Sequence, residues 1–340
     1  MIWGENGSGK TAILEGIHIL SLGKSFRTHK QKSLIKDGDD SFIVRGEFLL
    51  KNTLNQIATE FKKDGKQKIK INGDIIIARK DLVGKNNVVV LSPEEQSITK
   101  GGPAERRRFF DKVFSVVSKE YIDVLQVYSR VLKQRNAAIG VEKNNGENLN
   151  DFRYWNEQLA THGAKLWSLR GVFLNDFKYN LSSVLNRYDS NIKLDLLMRE
   201  KEITKEQYLK KLLEIEKTDL KMGRTTIGPH RDRVELIWNN KSLRLFGSQG
   251  EHKVSLVFLK LAEMCFIKDK TKSNPILLLD DLFAKLDLER SKKLVQLLHA
   301  LEEDSGETVQ TIATTTDIID IENSGMFSAK KEVLTYQLER

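Results

Sequence analysis

The stretch Gly4-Glu5-Asn6-Gly7-Ser8-Gly9-Lys10-Thr11 decides the fold of this 340-residue chain, because it fits the phosphate-loop pattern of glycine, four residues and Gly-Lys-Thr. Its glycines let successive backbone N–H groups surround the phosphates of a nucleotide, Lys10 can reach the β/γ oxygens, and the Thr11 hydroxyl can bind Mg²⁺. The apolar run 12–20 predicts a helix whose N-terminus faces the anion. A plain glycine turn before a helix accounts for the glycines but not for the Lys-Thr pair.

The start of the chain is short for such a loop, since only Met1, Ile2 and Trp3 precede Gly4. A buried parallel strand usually needs five or six residues. Either the natural product begins upstream with an additional strand pair, or the sheet lacks the strand that usually anchors the loop. We expect the first, and we expect the loop to have little holding it on this side.

Composition places the chain among globular proteins of the reducing cytoplasm. Hydrophobic residues make up 39% and charged residues 30%, which is too apolar for a disordered chain. No apolar run approaches the roughly 20 residues that span a bilayer, so we expect no membrane partner. One cysteine, Cys265, excludes an internal disulfide. The formal net charge of +9 favours a polyanionic partner such as nucleic acid, with a solvated lysine-rich surface as the alternative.

The order of hydrophobic patterns predicts an α/β fold. Alternating or apolar runs predict strands at 42–50, 56–62, 66–77, 87–91, 192–198, 234–238, 242–246, 275–281 and 309–317, and helical periodicity covers 103–139, 152–188, 205–222 and 254–266. Asn72-Gly73 and Asn239-Asn240 predict hairpin turns. The pattern predicts a head lobe of residues 1–98 and 190–340, with an inserted helical lobe of residues 99–189.

The apolar strand 275–280 ends in two carboxylates, Asp280 and Asp281. A parallel sheet delivers such groups to the edge where phosphate loops lie. In phosphoryl-transfer sites the first carboxylate supports Mg²⁺ and the next orients the attacking water. We therefore predict Lys10, Asp280 and Asp281 as catalytic residues, with Thr11 and Asp280 at Mg²⁺. A turn after an apolar strand is the alternative for the Asp-Asp pair.

A second helix start that could bind phosphate is Ser248-Gln249-Gly250-Glu251, directly before the helix at 254–266. Ser248, Gln249 and Gly250 are therefore predicted nucleotide contacts. The alternative is a plain N-cap at Ser248, with Glu251 three residues later completing a capping box.

Together these residues resemble the ABC-type ATPase heads of the SMC class, and more closely the RecF family of bacterial recombination and repair proteins. The resemblance rests on the phosphate loop, Ser248 to Glu251, the Asp-Asp strand and five further stretches: 23–27 (Gly-Lys-Ser-Phe-Arg), 102–111, 132–136 (Leu-Lys-Gln-Arg-Asn), 228–232 (Gly-Pro-His-Arg-Asp) and 284–287 (Ala-Lys-Leu-Asp). It implies an ABC-type P-loop ATPase head with an antiparallel β-subdomain and an inserted helical lobe.

The resemblance also implies a function. Proteins of this family bind ATP and Mg²⁺ and bind DNA at single-strand gaps, duplex junctions and stalled forks. They work with RecO and RecR to place the RecA recombinase, in processes that include the SOS response. The implied dimer is head to tail, with each ATP held between one subunit's phosphate loop and the other's Ser248 loop, and ATP hydrolysis is slow.

Several positions depart from the family pattern. Ala284 replaces the usual serine, which puts a hydroxyl contact across the dimer in doubt. Glu251-His252-Lys253 stands where Gln-Gln-Arg is more frequent, and Thr315 or Thr316 stands where transporters have histidine. Asp281 is shorter than the usual glutamate, which suits slow turnover.

Two basic clusters are the predicted DNA contacts, namely Arg106, Arg107 and Arg108 with Lys133 and Arg135. Their alternative is a solvated helix face or internal ion pairs. Two other functions compete with a DNA-binding ATPase. A transporter's nucleotide-binding subunit would need a Leu-Ser-Gly-Gly-Gln signature, a switch histidine and no basic insertion. A structural head without hydrolysis would be recognised by an ATPase assay with and without DNA.

Overall fold

A computed structural model describes residues 1–28, 30–50, 52–145, 152–198, 203–281, 288–303, 308–317 and 333–339. The chain divides into two compact units. The first comprises Met1–Gln96, Asn180–Ile192 and Lys253–Arg340, and the second comprises Ser97–Tyr179 and Lys193–His252. No helix within the described ranges is long and apolar enough to cross a membrane.

The described part of the chain contains both strands and helices. The strands are β1 (Ile2–Gly4), β2 (Ser41–Leu50), β3 (Thr53–Lys62), β4 (Gln67–Ile71), β5 (Asp74–Ile76), β6 (Val88–Leu91), β7 (Leu194–Met198), β8 (Val234–Trp238), β9 (Lys241–Ser242), β10 (Ile276–Asp280), β11 (Thr311–Thr315) and β12 (Tyr336–Leu338). The helices are α1 (Lys10–Leu22), α2 (Ser97–Lys100), α3 (Pro103–Val117), α4 (Lys119–Asn145), α5 (Arg153–Tyr188), α6 (Lys205–Glu214), α7 (Glu216–Met222), α8 (Leu243–Phe246), α9 (Gln249–Thr271) and α10 (Leu288–Glu303).

The first unit is built on a parallel sheet of order β12-β1-β11-β10-β6. Strands β6 and β10 are buried apolar runs, as expected where a parallel sheet is covered on both faces. Leu14 of α1 packs against Val88, Val90 and Leu278 in the core of this unit. The sheet and α1 thus form the α/β framework that the sequence predicts.

The short strand β1 is held more firmly than the sequence suggests. It lies between two neighbours, with Ile2 paired to Thr314 on one side and to Tyr336 on the other. The backbone N–H of Tyr336 also donates to the carbonyl of Met1 at 2.8 Å. The expectation that little holds the phosphate loop on this side is therefore wrong, because strands from the far end of the sequence flank β1.

An antiparallel sheet of order β2-β3-β4-β5 completes the first unit's described strands. The predicted hairpin turn is present, since Asn72 and Gly73 both have positive φ, 52° and 92°. On the inner face Ile57 and Ile69 pack with Leu20 of α1. This sheet is the predicted antiparallel β-subdomain, and its inner face is fixed to the helix that follows the phosphate loop.

The second unit contains helices α3 and α4 and the sheet β7-β8-β9. Its hairpin turn at Asn239 and Asn240 has the predicted positive φ values of 45° and 65°. The strand predicted at 242–246 is wrong: β9 ends at Ser242 and α8 covers the rest. The four residues Leu-Arg-Leu-Phe are too few to distinguish the two-residue repeat of a strand from the 3.6-residue repeat of a helix. A hydrogen bond from the Gly247 N–H to the Leu243 carbonyl closes a helical turn here.

The two compact units do not have the same bounds as the predicted lobes. Residues 193–252 belong to the second unit, whereas the sequence pattern assigned them to the head lobe. The lobe boundaries stay a prediction.

Candidate nucleotide-binding site

The phosphate loop runs from β1 into α1 and depends on glycine at its two ends. Gly4 has φ 151°, and a β-carbon on it would lie 2.4 Å from the carbonyl oxygen of Leu338. Gly9, with φ 96°, is the N-cap of α1. Both conformations lie where other residues are strained, so the loop shape requires glycine here.

Lys10 is buried inside this loop. Its Nζ donates to the carbonyl oxygens of Gly4 and Glu5 at 2.6 and 2.7 Å. Carbonyl oxygens are acceptors, as phosphate oxygens are, so the ammonium already lies among groups that a phosphate can replace. The hydroxyl of Ser8 is buried and has no hydrogen-bond partner among the described residues, which leaves a further donor for an anion.

The phosphate loop meets the end of the acidic strand through one hydrogen bond. The Thr11 hydroxyl donates to Asp280 Oδ1 at 2.9 Å, although the two residues are 269 positions apart. Asp280 is buried, with 4% of the residue exposed. The carboxyl ends of β1 and β10 lie at the same edge of the parallel sheet, and this edge is where ligands of open α/β sheets bind.

This pair fits Mg²⁺. The ion usually takes one or two protein oxygens and completes its octahedron with phosphate and water. A hydroxyl beside a carboxylate is such a set. The described residues hold no larger group of acidic, histidine or cysteine side chains that could bind a metal without a nucleotide. Thr11 and Asp280 would therefore hold the ion together with phosphate oxygens.

Thr314 is a third member of the site that the sequence pattern did not single out. Its hydroxyl lies 2.8 Å from Asp280 Oδ1 and accepts from the backbone N–H of Asp281 at 3.2 Å. Thr314 is 1% exposed. Thr315, named from its place in the motif, instead bonds the backbone of Asp317 at 2.9 Å. The available signal was the run of three threonines at the end of a strand, which does not say which one faces the carboxylates.

Asp281 follows β10 in a left-handed conformation with φ 49°. Aspartate tolerates this region better than most residues do, and the conformation turns the chain out of the sheet directly after Asp280. Asp281 is half-buried beside the site. The structure thus brings Lys10, Thr11, Asp280 and Asp281 to one edge of the first unit, whereas Ala284 to Asp287 lie outside the described residues.

The Ser248 loop belongs to the second unit, where it forms a capping box at the start of α9. The Ser248 N–H donates to Glu251 Oε2 at 2.7 Å, and the Glu251 N–H donates to the Ser248 hydroxyl at 3.2 Å. The capping alternative is therefore present in this chain. It leaves Ser248, Gln249 and Gly250 at a helix N-terminus, and Ser248 and Gln249 are exposed to solvent.

The structure corrects the DNA-binding prediction for two arginines. Arg106 is buried, and its guanidinium donates to the carbonyl oxygens of Val234 and Gly101 at 2.5 and 2.8 Å. Arg135 is 0% exposed and pairs with Asp219 at 2.7 Å. Neither can reach a phosphate backbone, because each holds the interior of the second unit together.

The other three predicted DNA contacts differ in exposure. Arg107 is half-buried and donates to the backbone carbonyl of Asp232. Arg108 is exposed and pairs with Glu105, and Lys133 is exposed. Arg108 and Lys133 remain predictions, while Arg107 has a structural contact that competes with DNA.

His230, in the Gly-Pro-His-Arg-Asp turn, has a structural position. Burial lowers the pKa of His230 to about 4, so the ring is neutral at pH 7. Nε2 lies 3.2 Å from the Thr225 carbonyl and Nδ1 lies 2.6 Å from the Tyr128 hydroxyl. A carbonyl only accepts, so Nε2 carries the proton and Nδ1 accepts from Tyr128.

Comparison with known proteins agrees with this geometry. A profile of the RecF/RecN/SMC N terminal domain matches residues 1–334. A DNA replication and repair protein RecF of Thermoanaerobacter sp. (strain X514) is 32% identical over 310 residues, which cover 89% of this chain and 85% of the relative. A protein of the same name from Caldanaerobacter subterraneus subsp. tengcongensis is 31% identical over 341 residues, covering 96% and 90%.

A solved structure described as the recombination mediator protein RecF-ATP in the RecFOR pathway has a TM-score of 0.85 to this chain at 30% identity. The matched region covers 99% of this chain and 88% of the chain in that structure. The fold and site therefore define an ABC-type P-loop ATPase head of the SMC class. Within that class, the chain belongs to the RecF family.

The buried arginine yields a stability prediction. Arg135→Met should lower the free energy of unfolding by about 3–5 kcal/mol, because it leaves the buried Asp219 carboxylate without its cation. Urea denaturation followed by circular dichroism measures this. Lys133→Met, two residues earlier on the exposed face of α4, should change the value by less than about 0.5 kcal/mol. Equal stability of the two variants would contradict the structural role of Arg135.

Thr314 yields a second prediction. Thr314→Val removes the hydroxyl beside Asp280, and Mg²⁺ affinity in the presence of ATP should fall by about 10- to 100-fold. A Mg²⁺ titration with a fluorescent ATP analogue measures it. Thr314→Ser keeps the hydroxyl and should stay near the wild-type value. A valine variant that binds Mg²⁺ as well as the serine variant would exclude this positioning role.

Proposed function

We propose that this chain is an ATP-dependent DNA-binding protein that acts as a recombination mediator. The observation that carries the proposal is the hydrogen bond from Thr11 to Asp280, because it joins a phosphate loop to an acidic strand end in one site. That pair is what a Mg²⁺-nucleotide needs from a protein. The solved relatives are described as a recombination mediator with ATP, which supports the same ligand here.

ATP binding would rearrange Lys10. Its ammonium leaves or shares the carbonyls of Gly4 and Glu5 and donates to the β/γ-phosphate oxygens, while the glycine-rich backbone supplies N–H donors. Mg²⁺ held by Thr11 and Asp280 would neutralise part of the phosphate charge. The Asp280 carboxylate already accepts hydrogen bonds from the Thr11 and Thr314 hydroxyls, so little side-chain ordering is left for the moment of binding.

Hydrolysis would use Asp281 to orient the attacking water. Phosphoryl transfer needs positioning and electrostatic stabilisation rather than covalent help. Because aspartate is one methylene shorter than glutamate, it aligns the attacking water with the phosphate less well. We infer slow turnover, suited to a switch between ATP-bound and released states. A structural head without hydrolysis is the competing function, and the Asp281 variant below separates the two.

The second unit would complete the nucleotide site of another copy. Ser248, Gln249 and Gly250 lie at the N-terminus of α9, where backbone N–H groups and the helix dipole attract an anion. In a head-to-tail homodimer this helix end meets the γ-phosphate held by the other subunit. Dimerisation then depends on ATP, because the phosphate supplies the charge between the two surfaces.

DNA is the proposed macromolecular ligand, with RecO and RecR as protein partners and loading of the RecA recombinase at gaps and stalled forks as the outcome. The net charge of +9 favours the phosphate backbone as a partner. Arg108 and Lys133 are exposed candidates in the second unit. The relatives' name, DNA replication and repair protein, supports this role.

A pair of variants tests the nucleotide site. Lys10→Ala should abolish ATP binding because it removes the charge on the β/γ-phosphates. Asp281→Asn should keep ATP binding and block hydrolysis, because the amide replaces one acceptor oxygen by an NH₂ donor and no longer orients the attacking water. Equilibrium binding and phosphate release are the measurements, with exposed Lys85→Ala as the matched control. Unchanged ATP affinity in Lys10→Ala would contradict the assignment of the phosphate loop as the nucleotide site.

A second pair tests the dimer. Ser248→Arg should permit ATP binding by each monomer and prevent the ATP-dependent dimer, because the large cation clashes where the phosphate should dock. Ser248→Ala loses the capping hydroxyl, at a cost of about 0.5–2 kcal/mol, without adding bulk. It should therefore still dimerise. Size-exclusion chromatography with light scattering decides, and a normal dimer from Ser248→Arg would leave this loop as a helix cap alone.

A further inference from the structure

We propose that the first unit carries a duplex-DNA backbone site at one end of its antiparallel sheet, and this proposal rests on the proposed DNA binding. The site, named here the basic rim, consists of exposed lysines from two segments. They are Lys24, Lys30, Lys32, Lys62, Lys63 and Lys66. Unlike the buried Arg106 and Arg135, these lysines expose their charge to solvent.

The first segment is free of acidic residues over a long stretch. Between Glu15 and Asp37 the sequence contains Lys24, Arg27, Lys30, Lys32 and Lys36, and no aspartate or glutamate. Arg27 lies 4.0 Å from the buried Glu15 carboxylate. Lys30 and Lys32 make no ion pair with the residues that the structure describes. Their charges therefore face solvent without a neutralising carboxylate among the described residues.

The fold brings the second segment to the first. A 3₁₀ turn at Gln31–Leu34 lies against β3, and Lys32 Cε is 4.0 Å from the place of a β-carbon on Gly65. Gln67 Nε2 donates to the Gly23 carbonyl at 2.8 Å. The turn between β3 and β4, which carries Lys63, thus lies beside the segment that follows α1.

Acidic groups neutralise only part of the rim. Lys66 pairs with Asp64 at 3.1 Å, and Lys62 approaches Glu60 at 3.7 Å. Lys63 Nζ donates to a backbone carbonyl, that of Asp39, so its charge is not paired by this contact. Lys30, Lys32 and Lys63 are therefore the lysines with charge available for phosphates.

The loop that begins the rim is fixed rather than loosely solvated. Gly23 has φ 66° and caps α1 by donating its N–H to the Ile19 carbonyl at 2.8 Å. The Ser25 hydroxyl donates to buried Glu15, and His18 Nδ1 lies 2.7 Å from the Lys24 carbonyl. Such ordering lowers the entropy cost of holding cations against a regular array of phosphates.

The geometry favours duplex over single-stranded DNA. Proteins that bind single strands stack bases on aromatic side chains. In the described part of this region, Phe26 is half-buried with its ring 5.4 Å from that of His18, and Phe42 stacks on the buried ring of Phe61. Lysines without an available aromatic platform bind the phosphate backbone, which duplex DNA presents at regular spacing.

The rim is attached to the nucleotide site through α1. This helix begins at Lys10 of the phosphate loop and ends at Leu22, directly before the rim. Glu15 and His18, one and two turns along it, hold the loop that carries Lys24. A rearrangement of this helix on ATP binding would therefore reach the basic rim without passing through another element.

The test is a charge-matched pair of triple variants. Lys30→Gln, Lys32→Gln and Lys63→Gln together remove the available charges. The control removes three exposed lysines of α6 in the second unit, by Lys205→Gln, Lys210→Gln and Lys211→Gln. Binding of a 30-base-pair duplex and of an unstructured single strand is measured by fluorescence anisotropy across a salt series, with an ATP analogue present. Binding of a fluorescent ATP analogue checks the nucleotide site of every variant.

We expect the rim variant to bind duplex more weakly, with a log K against log [salt] slope less steep by about three, roughly one per lysine. The control and wild-type slopes should agree, as should nucleotide affinities. Equal slopes for rim variant and wild type would overturn the basic rim while leaving DNA binding intact. A wild-type chain that binds neither duplex nor single strand would instead overturn the proposed function, and a loss confined to single strands would refute the duplex assignment.

Discussion

The Asp280 carboxylate is the group on which the first unit depends. It is buried at the end of β10. It accepts hydrogen bonds from the Thr11 hydroxyl of α1 and the Thr314 hydroxyl of β11. A buried carboxylate without partners is costly, so these contacts constrain where the helix and both strands end. The same constraint fixes the distance between the phosphate loop and the acidic strand, which is what a Mg²⁺-nucleotide site requires.

The second unit depends on a different use of charge. Arg135 with Asp219, and Arg170 with Asp111 and Asp232, are ion pairs in its interior. Asp111, Tyr121 and Asp232 around Arg170 raise its pKa well above the usual value despite burial. Such pairs do not make a core more stable than apolar residues would, but they are intolerant of losing one partner. Arginine suits this role because its planar guanidinium bonds several acceptors at once.

This division explains where the positive charge of the chain is available. The arginines of the motifs at 102–111 and 132–136 are largely committed to internal contacts, whereas exposed lysines surround one end of the antiparallel sheet. Lysine keeps a strongly hydrated charge on a flexible stem, which suits reversible contact with a phosphate backbone. Under the proposed DNA binding, the buried arginines hold the second unit together and the exposed lysines of the basic rim contact phosphates.

The sequence by itself determined the phosphate loop, the acidic strand, most elements and both asparagine turns. These are local features, in which contiguous residues carry the conformational preference or the chemistry. Only the tertiary structure decided that β1 has two neighbours, that Thr314 rather than Thr315 faces Asp280, and that residues 243–246 form a helical turn. It also decided that Arg106 and Arg135 are buried. Burial and hydrogen-bond partners depend on which distant segments pack together. The sequence of a basic run is the same whether its side chains face solvent or the core, so the sequence alone does not decide between them.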